Sequence, residues 1–402
     1  MASIFLKPGK EEALLRYHPW VFSGALQSAK GHPEEGDVVE VYSSAGQLLG
    51  VGHAQVGSIA VRMLSFEAAK IDVDFWRQKL QSAFRLREKI ALSEGTTCYR
   101  LVHGEADGLP GLVVDIYGST AVLQAHSVGM YLARHELAQA LRSVYGDSLK
   151  AVYDKSAGTM PAKADLNAAN GYLWGEKQAE LILENGLKFE VDWEEGQKTG
   201  FFLDQRDNRS LFERYSRGRN VLNMFCYTGG FSVYALRGGA AHVCSVDSSA
   251  RAVEQAGRNV ALNFGSQAAH EACAADGFDF LQGAAGKYDL IALDPPAFAK
   301  HVGAVKNALQ AYRRLNALAL RQAPQGGIIF TFSCSQVVSR EQFCSAIFSA
   351  ALDSKRSVRI LHRLAQPPDH PVNIYHPEGE YLKGLALYVA YGEISCKESR
   401  WV

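Results

Sequence analysis

At 402 residues the chain exceeds one ordinary domain, so two or three are expected. With 47% hydrophobic and 21% charged residues it can bury real cores, which excludes a disordered chain. Lys+Arg and Asp+Glu balance at 42 each, so net charge alone carries no nucleic-acid signal. The opening run Met1–Pro8 lacks the basic stretch and long apolar run of a secretion signal. No segment reaches the roughly 18 uncharged apolar residues of a membrane span, so no membrane partner is expected. The seven cysteines (98, 226, 244, 273, 334, 344 and 396) are odd in number and never spaced Cys-x-x-Cys. That argues against a disulfide framework and a structural zinc, so no metal is expected and a reducing cytoplasm fits best.

Residues 1–72 carry short β-type runs (37–42, 47–54 and 59–64) separated by turn signals, the pattern of a small β-barrel. Residues 73–192 open on a segment, 74–92, that is amphipathic at helical spacing. Two strands (111–117 and 121–125), a helix around 131–145 and a strand at 151–154 follow, an α+β pattern. From 193 to 392 strands and helices alternate. Strands are predicted at 220–225, 242–246, 288–293 and 327–332, and helices at 231–237, 250–263, 304–322 and 340–352. Helical crossovers between strands mean a parallel sheet covered on both faces. Residues 393–402 read as a short tail.

Three of these strands end in loops with polar or reactive groups, and in an open α/β sheet ligands bind at such carboxyl ends. The first loop is Phe225-Cys226-Tyr227-Thr228-Gly229-Gly230, whose glycines let backbone approach a nucleotide-like ligand. It is not the dinucleotide Gly-x-Gly-x-x-Gly pattern. Asp247 and Ser248 end the next strand, where an acid is placed for ribose hydroxyls. Asp276 is placed for the adenine amine, with Phe278 near the ring; both acids are equally suited to cap the helices that follow. Upstream, Lys198, Thr199, Phe201, Asp204 and Arg206 crowd a polar run that reads as a loop closing over the cofactor.

The other two loops carry Asp294, in Asp294-Pro295-Pro296, and Cys334, in Ser333-Cys334-Ser335. C5 of a pyrimidine is a poor nucleophile until a thiolate adds to C6. It can then attack the sulfonium methyl of S-adenosylmethionine. Cys334 is the candidate nucleophile and Asp294 the group that hydrogen-bonds the ring. Cys226 sits beside the cofactor turn, and the remaining cysteines read as buried apolar residues. His376 or Glu378, in a loop before the last strand, is the candidate base for the C5 proton. Residues 300–363 hold ten Lys/Arg against Glu341 and Asp353, a local bias suited to phosphates and hence to an RNA partner.

Taken together, these motifs resemble a known family, the bacterial large-subunit ribosomal RNA methyltransferases of type I, which make 5-methylcytidine in 23S rRNA. The resemblance runs through Leu6–Lys10, His18–Gly24, Tyr99–Leu112, Gly196–Arg209, Phe225–Ser232, Asp294–Phe298, Ser333–Ser335 and Pro377–Gly384. It implies an N-terminal RNA-binding PUA barrel, a central α+β domain and a Rossmann-like class I domain that uses S-adenosylmethionine. The implied nucleophile is Cys334, and the implied cofactor contacts are the Phe225–Gly230 loop, Asp247, Asp276 and Asp294. Two features depart from the pattern. Asp294–Phe298 lacks the second cysteine of the two-cysteine RNA cytosine enzymes, and residues 153–157 match the family only loosely. The barrel, with six Lys/Arg and nine Asp/Glu over residues 1–75, is not basic. The rival readings are an exocyclic-amine or 5-methyluridine RNA methyltransferase, a dinucleotide oxidoreductase and a non-catalytic RNA-binding protein. A homodimer is left open.

Overall fold

The computed structural model describes residues 2–161, 166–179 and 181–393; most of the expected tail, and Cys396 in it, lies outside the described residues. The chain divides into two compact units. One comprises Met1–Gly186, Val191–Leu203 and Pro368–Gly379; the other comprises Leu187–Glu190, Asp204–Pro367 and Glu380–Val402.

The first unit contains two sheets. Its N-terminal strands form one mixed six-stranded sheet, in which Ala2–Leu6 pairs parallel with Val38–Tyr42 and the other pairings are antiparallel. Ile4, Leu6, Val39, Val41, Val61 and Met63 make its core, every second residue facing inward as strand geometry requires. The second sheet has five strands: Cys98–His103, Leu112–Tyr117, Thr120–Ala125, Ala151–Asp154 and Gly171–Trp174. Helices Val73–Leu86 and Arg134–Tyr145 contribute Trp76, Leu80, Leu137 and Leu141 to its core. Cys98–His103 was not expected as a strand because Arg100 interrupts its apolar run. The structure resolves this with a two-pronged ion pair at 2.8 Å from Arg100 to the fully buried Asp115.

The segment Pro368–Gly379 was expected to belong with the C-terminal half. It joins the first unit instead, because the buried Asp369 accepts the Arg100 N–H (3.0 Å) and offers its carbonyl to Arg87 (2.9 Å). Nothing in the local sequence announces pairs so distant along the chain.

The second unit is a seven-stranded sheet. Its strands are β1 (Asn220–Met224), β2 (His242–Asp247), β3 (His270–Ala274), β4 (Leu290–Leu293), β5 (Ile328–Ser333), β6 (Arg356–Leu364) and β7 (Lys383–Glu393). They lie in the order β3-β2-β1-β4-β5-β7-β6; the first five are parallel, and β7 runs antiparallel to both neighbours. The helices are α1 (Arg206–Arg214), α2 (Gly230–Arg237), α3 (Ala250–Phe264), α4 (Gly277–Gln282), α5 (Val305–Gln322) and α6 (Arg340–Ser354). Alternation along the strands sends Leu222, Met224, Ile291, Leu293 and Ile329 to one face, against Tyr312, Leu315, Phe343 and Ile347. Val221, Leu290, Ala292, Phe330 and Phe332 go to the other, against Phe212, Phe231 and Ala235. Both faces are therefore dry, as a parallel sheet needs.

Candidate active site

Five parallel strand ends meet at one edge of this sheet, and β1 lies at its switch point, with β2 on one side and β4 on the other. After Met224 the backbone turns sharply. Phe225 (φ 59°) and Tyr227 (φ 45°) both adopt left-handed conformations that bulky side chains avoid, and Gly229 (φ 80°) completes the turn. Only glycine fits at 229, since a Cβ there would lie 2.8 Å from that of Ala256. The turn is held by Asp247 at the end of β2, whose carboxylate accepts the N–H groups of Tyr227 and Ser249, each at 3.0 Å. The acid expected to bind ribose thus braces the glycine loop, and Ser248 lies between it and Ser249. Asp276 accepts from the N–H groups of Phe278 (2.8 Å) and Asp279 (3.1 Å), capping α4. A Cβ at residue 277 would come within 3.0 Å of the Phe225 ring, so Gly277 leaves the space in which that ring joins the β1 and β3 loops.

On the other side of β1, Leu293 pairs with both Met224 and Thr331, so Asp294 and Cys334 follow adjacent strands at the same edge. Asp294 accepts from the Gln205 side-chain amide (3.0 Å), and Gln205 in turn accepts from Asn208 (2.6 Å). The serines flanking Cys334 fix its turn. The Ser333 hydroxyl donates to the Tyr312 phenol (2.9 Å), while Ser335 Oγ accepts the Ala299 N–H (3.3 Å) and lies 3.1 Å from the same phenol. Ser335 therefore ties the Asp-Pro-Pro loop to the cysteine loop. Phe298 packs against Tyr312 with the rings tilted by 53° and their centroids 4.8 Å apart.

The cysteines separate by environment. Burial, reinforced by the Asp247 charge, drives the Cys226 thiol far above its usual range, and burial pushes Cys244 up to about 12. Both stay protonated and unreactive at neutral pH. Cys334 is half-buried at the strand edge.

The upstream polar run is shared between the units. Lys198, Thr199 and Phe201 belong to the first, Asp204 and Arg206 to the second. Lys198 is exposed, with Nζ 4.7 Å from the Phe202 ring centre, and Phe201 is buried. The buried Thr199 hydroxyl donates to Asp115 (2.6 Å) and meets the Tyr117 phenol (3.0 Å), bracing the five-stranded sheet. Asp204 accepts from the Tyr381 hydroxyl at 2.6 Å, and Arg206 is buried at the start of α1.

Glu378 and His376 lie in the first unit, where Glu378 faces His18 Nε2 (3.7 Å) and His376 Nε2 (3.8 Å). These three side chains bring their ligand atoms within 4.8 Å of one another. However, His18 Nδ1 accepts the Trp20 N–H (3.2 Å), which leaves the proton on Nε2. That tautomer suits a donor to Glu378 rather than a metal ligand. The sequence places Gln205 in the polar run expected to close over the cofactor but not beside Asp294, and it gives Tyr312 and Lys383 no role at the sheet edge. Of these two, only Lys383, a cation directly before an apolar strand, carried any local signal.

Comparison with known proteins agrees with this architecture. The S-adenosylmethionine-dependent methyltransferase family profile matches residues 156–379, and a PUA-like domain profile matches residues 4–66. The ribosomal RNA large subunit methyltransferase I of Aeromonas hydrophila is 40% identical over 395 residues, covering 96% of this chain and 99% of its own length. That of Escherichia coli is 38% identical, covering 96% and 99%. A solved candidate S-adenosylmethionine-dependent methyltransferase from Streptococcus mutans superposes with a TM-score of 0.82 at 26% identity, covering 97% of this chain and 100% of that one. A candidate methyltransferase crystallised with S-adenosylhomocysteine gives 0.83 at 27% identity, with the same coverage. Among the described residues, no helix is long and apolar enough to cross a membrane. With a methyltransferase sheet behind a PUA-like domain, and relatives matched from end to end, the chain belongs to the ribosomal RNA large subunit methyltransferase I family of S-adenosylmethionine-dependent enzymes.

Proposed function

We propose that the protein transfers the methyl group of S-adenosylmethionine to C5 of a cytosine in 23S ribosomal RNA. The observation that carries this reading is the sheet order, which gathers the Phe225–Gly230 loop, Asp247, Asp294 and Cys334 on adjacent strand ends. The loop between Phe225 and Gly229, including Cys226 and Tyr227, would hold S-adenosylmethionine, with Asp247 and Ser248 placed for its ribose and Asp276 and Phe278 for its adenine. When bound, the cofactor supplies the electrophilic methyl.

Cys334 loses its proton and its sulfur adds to C6, which places electron density on C5. Asp294, held by Gln205, hydrogen-bonds the ring edge and stabilises the developing charge. C5 takes the methyl, S-adenosylhomocysteine leaves, a base removes the C5 proton, and expulsion of the thiolate restores the C5–C6 double bond. The place of Cys334 at the end of β5, on the strand next to Asp294, supports this choice over the equally half-buried Cys273 on β3 and Cys344 on α6, while Cys226 and Cys244 are held as thiols. RNA docking falls to the PUA-like domain at residues 4–66 and to the unpaired members of the basic stretch.

Cys334→Ala should abolish 5-methylcytidine formation while S-adenosylmethionine still binds. The unaltered enzyme should form a denaturant-resistant adduct with RNA containing 5-fluorocytidine, since fluorine cannot leave as the proton does. Full activity in Cys334→Ala would replace the covalent mechanism with methylation of an exocyclic amine.

A further inference from the structure

Lys383 is the first residue of β7, directly opposite Ser333 in the antiparallel pairing of β5 and β7. Because β7 runs against β5, its start lies at the edge where β5 ends, beside the cysteine turn. The side chain is 5% exposed, which is rare for lysine outside a paired or functional setting. Its Nζ donates to two backbone carbonyls, Ser335 (2.6 Å) and Val338 (2.5 Å). Both belong to the turn that begins at Cys334, so the ammonium sits inside a loop whose first side chain is the thiol. Among the described residues no carboxylate accepts a hydrogen bond from it. The charges that act on it are Cys334, Arg340 and Glu380, and Glu380 is itself paired with Arg340 at 2.6 Å. Of these charges, Cys334 acts on it most strongly.

We propose that Lys383 is the positioning residue for the Cys334 nucleophile, shaping its turn and holding the thiol in the ionised form. The inference rests on the reading of Cys334 as the nucleophile. Two N–H groups are fixed by the carbonyls, and the charge left over stabilises sulfur as it loses its proton to solvent; Lys383 itself exchanges none. Burial drives Lys383 down to about 8, so near neutral pH it is still largely charged, and the Cys334 sulfur opposes that fall. A thiolate beside a cation is the arrangement by which protein cysteines become reactive.

The test is the pH dependence of Cys334 alkylation by iodoacetamide, read by mass spectrometry of the peptide that contains it. In the full-length protein the midpoint should lie below the ordinary thiol value of about 8.5. In Lys383→Met it should rise by about one pH unit or more, slowing alkylation roughly tenfold at pH 7. Lys383→Arg, which keeps the charge, should restore most of the shift even if the turn is distorted. A purely structural role would change thermal stability and leave the midpoint of folded Lys383→Met unmoved, which overturns the proposal. A midpoint at or above about 8.5 in the unaltered protein overturns it as well, whether or not the variant folds. Alkylation needs no RNA, so these outcomes are separate from failure of the covalent mechanism, which appears as retained methylation in Cys334→Ala.

Discussion

Phe225 and Tyr227 hold backbone angles that cost bulky residues about 1–3 kcal/mol each, and they flank the turn that must meet the cofactor. The surrounding bonds make this sustainable. Asp247 holds the Tyr227 N–H, the Cys226 N–H reaches the Val246 carbonyl at 3.0 Å, and the Phe225 ring fits the space that Gly277 leaves. A loop fixed this way need not be ordered when the ligand arrives, so less binding energy goes into closing it. Gly229→Ala would force a Cβ to 2.8 Å from Ala256 at a φ of 80°. We expect a loss of about 1–3 kcal/mol in stability, with cofactor affinity reduced in the protein that still folds. Denaturant unfolding and calorimetry would read both; an unchanged midpoint would mean that α3 yields. Asp247→Ala should weaken S-adenosylmethionine binding by about 1.5–3 kcal/mol. An unchanged Kd would confine Asp247 to bracing the loop.

The helix Val73–Leu86 runs on as a π-helical turn, Arg87–Ala91, and Arg87 makes that irregular turn a structural joint. Its fully buried guanidinium forms a two-pronged ion pair with Asp107 and donates to the carbonyls of Arg100 and Asp369, each at 2.9 Å. Arg87→Met strands the Asp107 charge, and breaking such a pair costs about 3–5 kcal/mol. Arg77→Ala, on an exposed turn of the same helix, should stay within about 0.5 kcal/mol. Equal effects in urea unfolding would refute the joint. This also shows where the sequence was legible. Helices with a clean apolar period, and central strands such as β1, β4 and β5, were read within a few residues. The edge strands were not. The alternation of β3 is buried on neither face, and β6 carries Arg356, Arg359 and Arg363 within the expected basic stretch, as edge strands often do. Part of that stretch is also paired internally, Arg313 with Asp353 and Arg340 with Glu380. Strand-end residues such as Asp247, Asp294 and Cys334 could be found because strand and loop are adjacent in sequence. Gln205, Tyr312 and Lys383 come to the sheet edge only through tertiary packing.

Each unit holds a histidine that the fold keeps neutral, buried in the first and half-buried in the second, and this shapes how the chain responds to acid. In the first unit His53 lies 3% exposed on strand Leu48–Ala54, its ring packed against Gly129 and its Nδ1 without a partner. Burial lowers it to about 4. In the second unit His270, at the start of β3 and 2.8 Å from the Ser245 hydroxyl, is also lowered to about 4 by burial. For a base whose folded pKa lies below its unfolded value near 6.5, the unfolded chain binds more protons. Stability is therefore full above 6.5 and is lost as pH falls from there toward 4. Because both units carry such a group, neither should survive acid as a stable remnant in this window. Urea midpoints should drop from pH 7 to pH 5 for both units, and far-ultraviolet circular dichroism with limited proteolysis would follow each. His53→Leu should flatten the decline of the first unit and leave that of the second unchanged. If the variant declines as steeply as the parent, His53 does not set the acid limit of its unit, and His103 and His126, which burial also lowers, account for it.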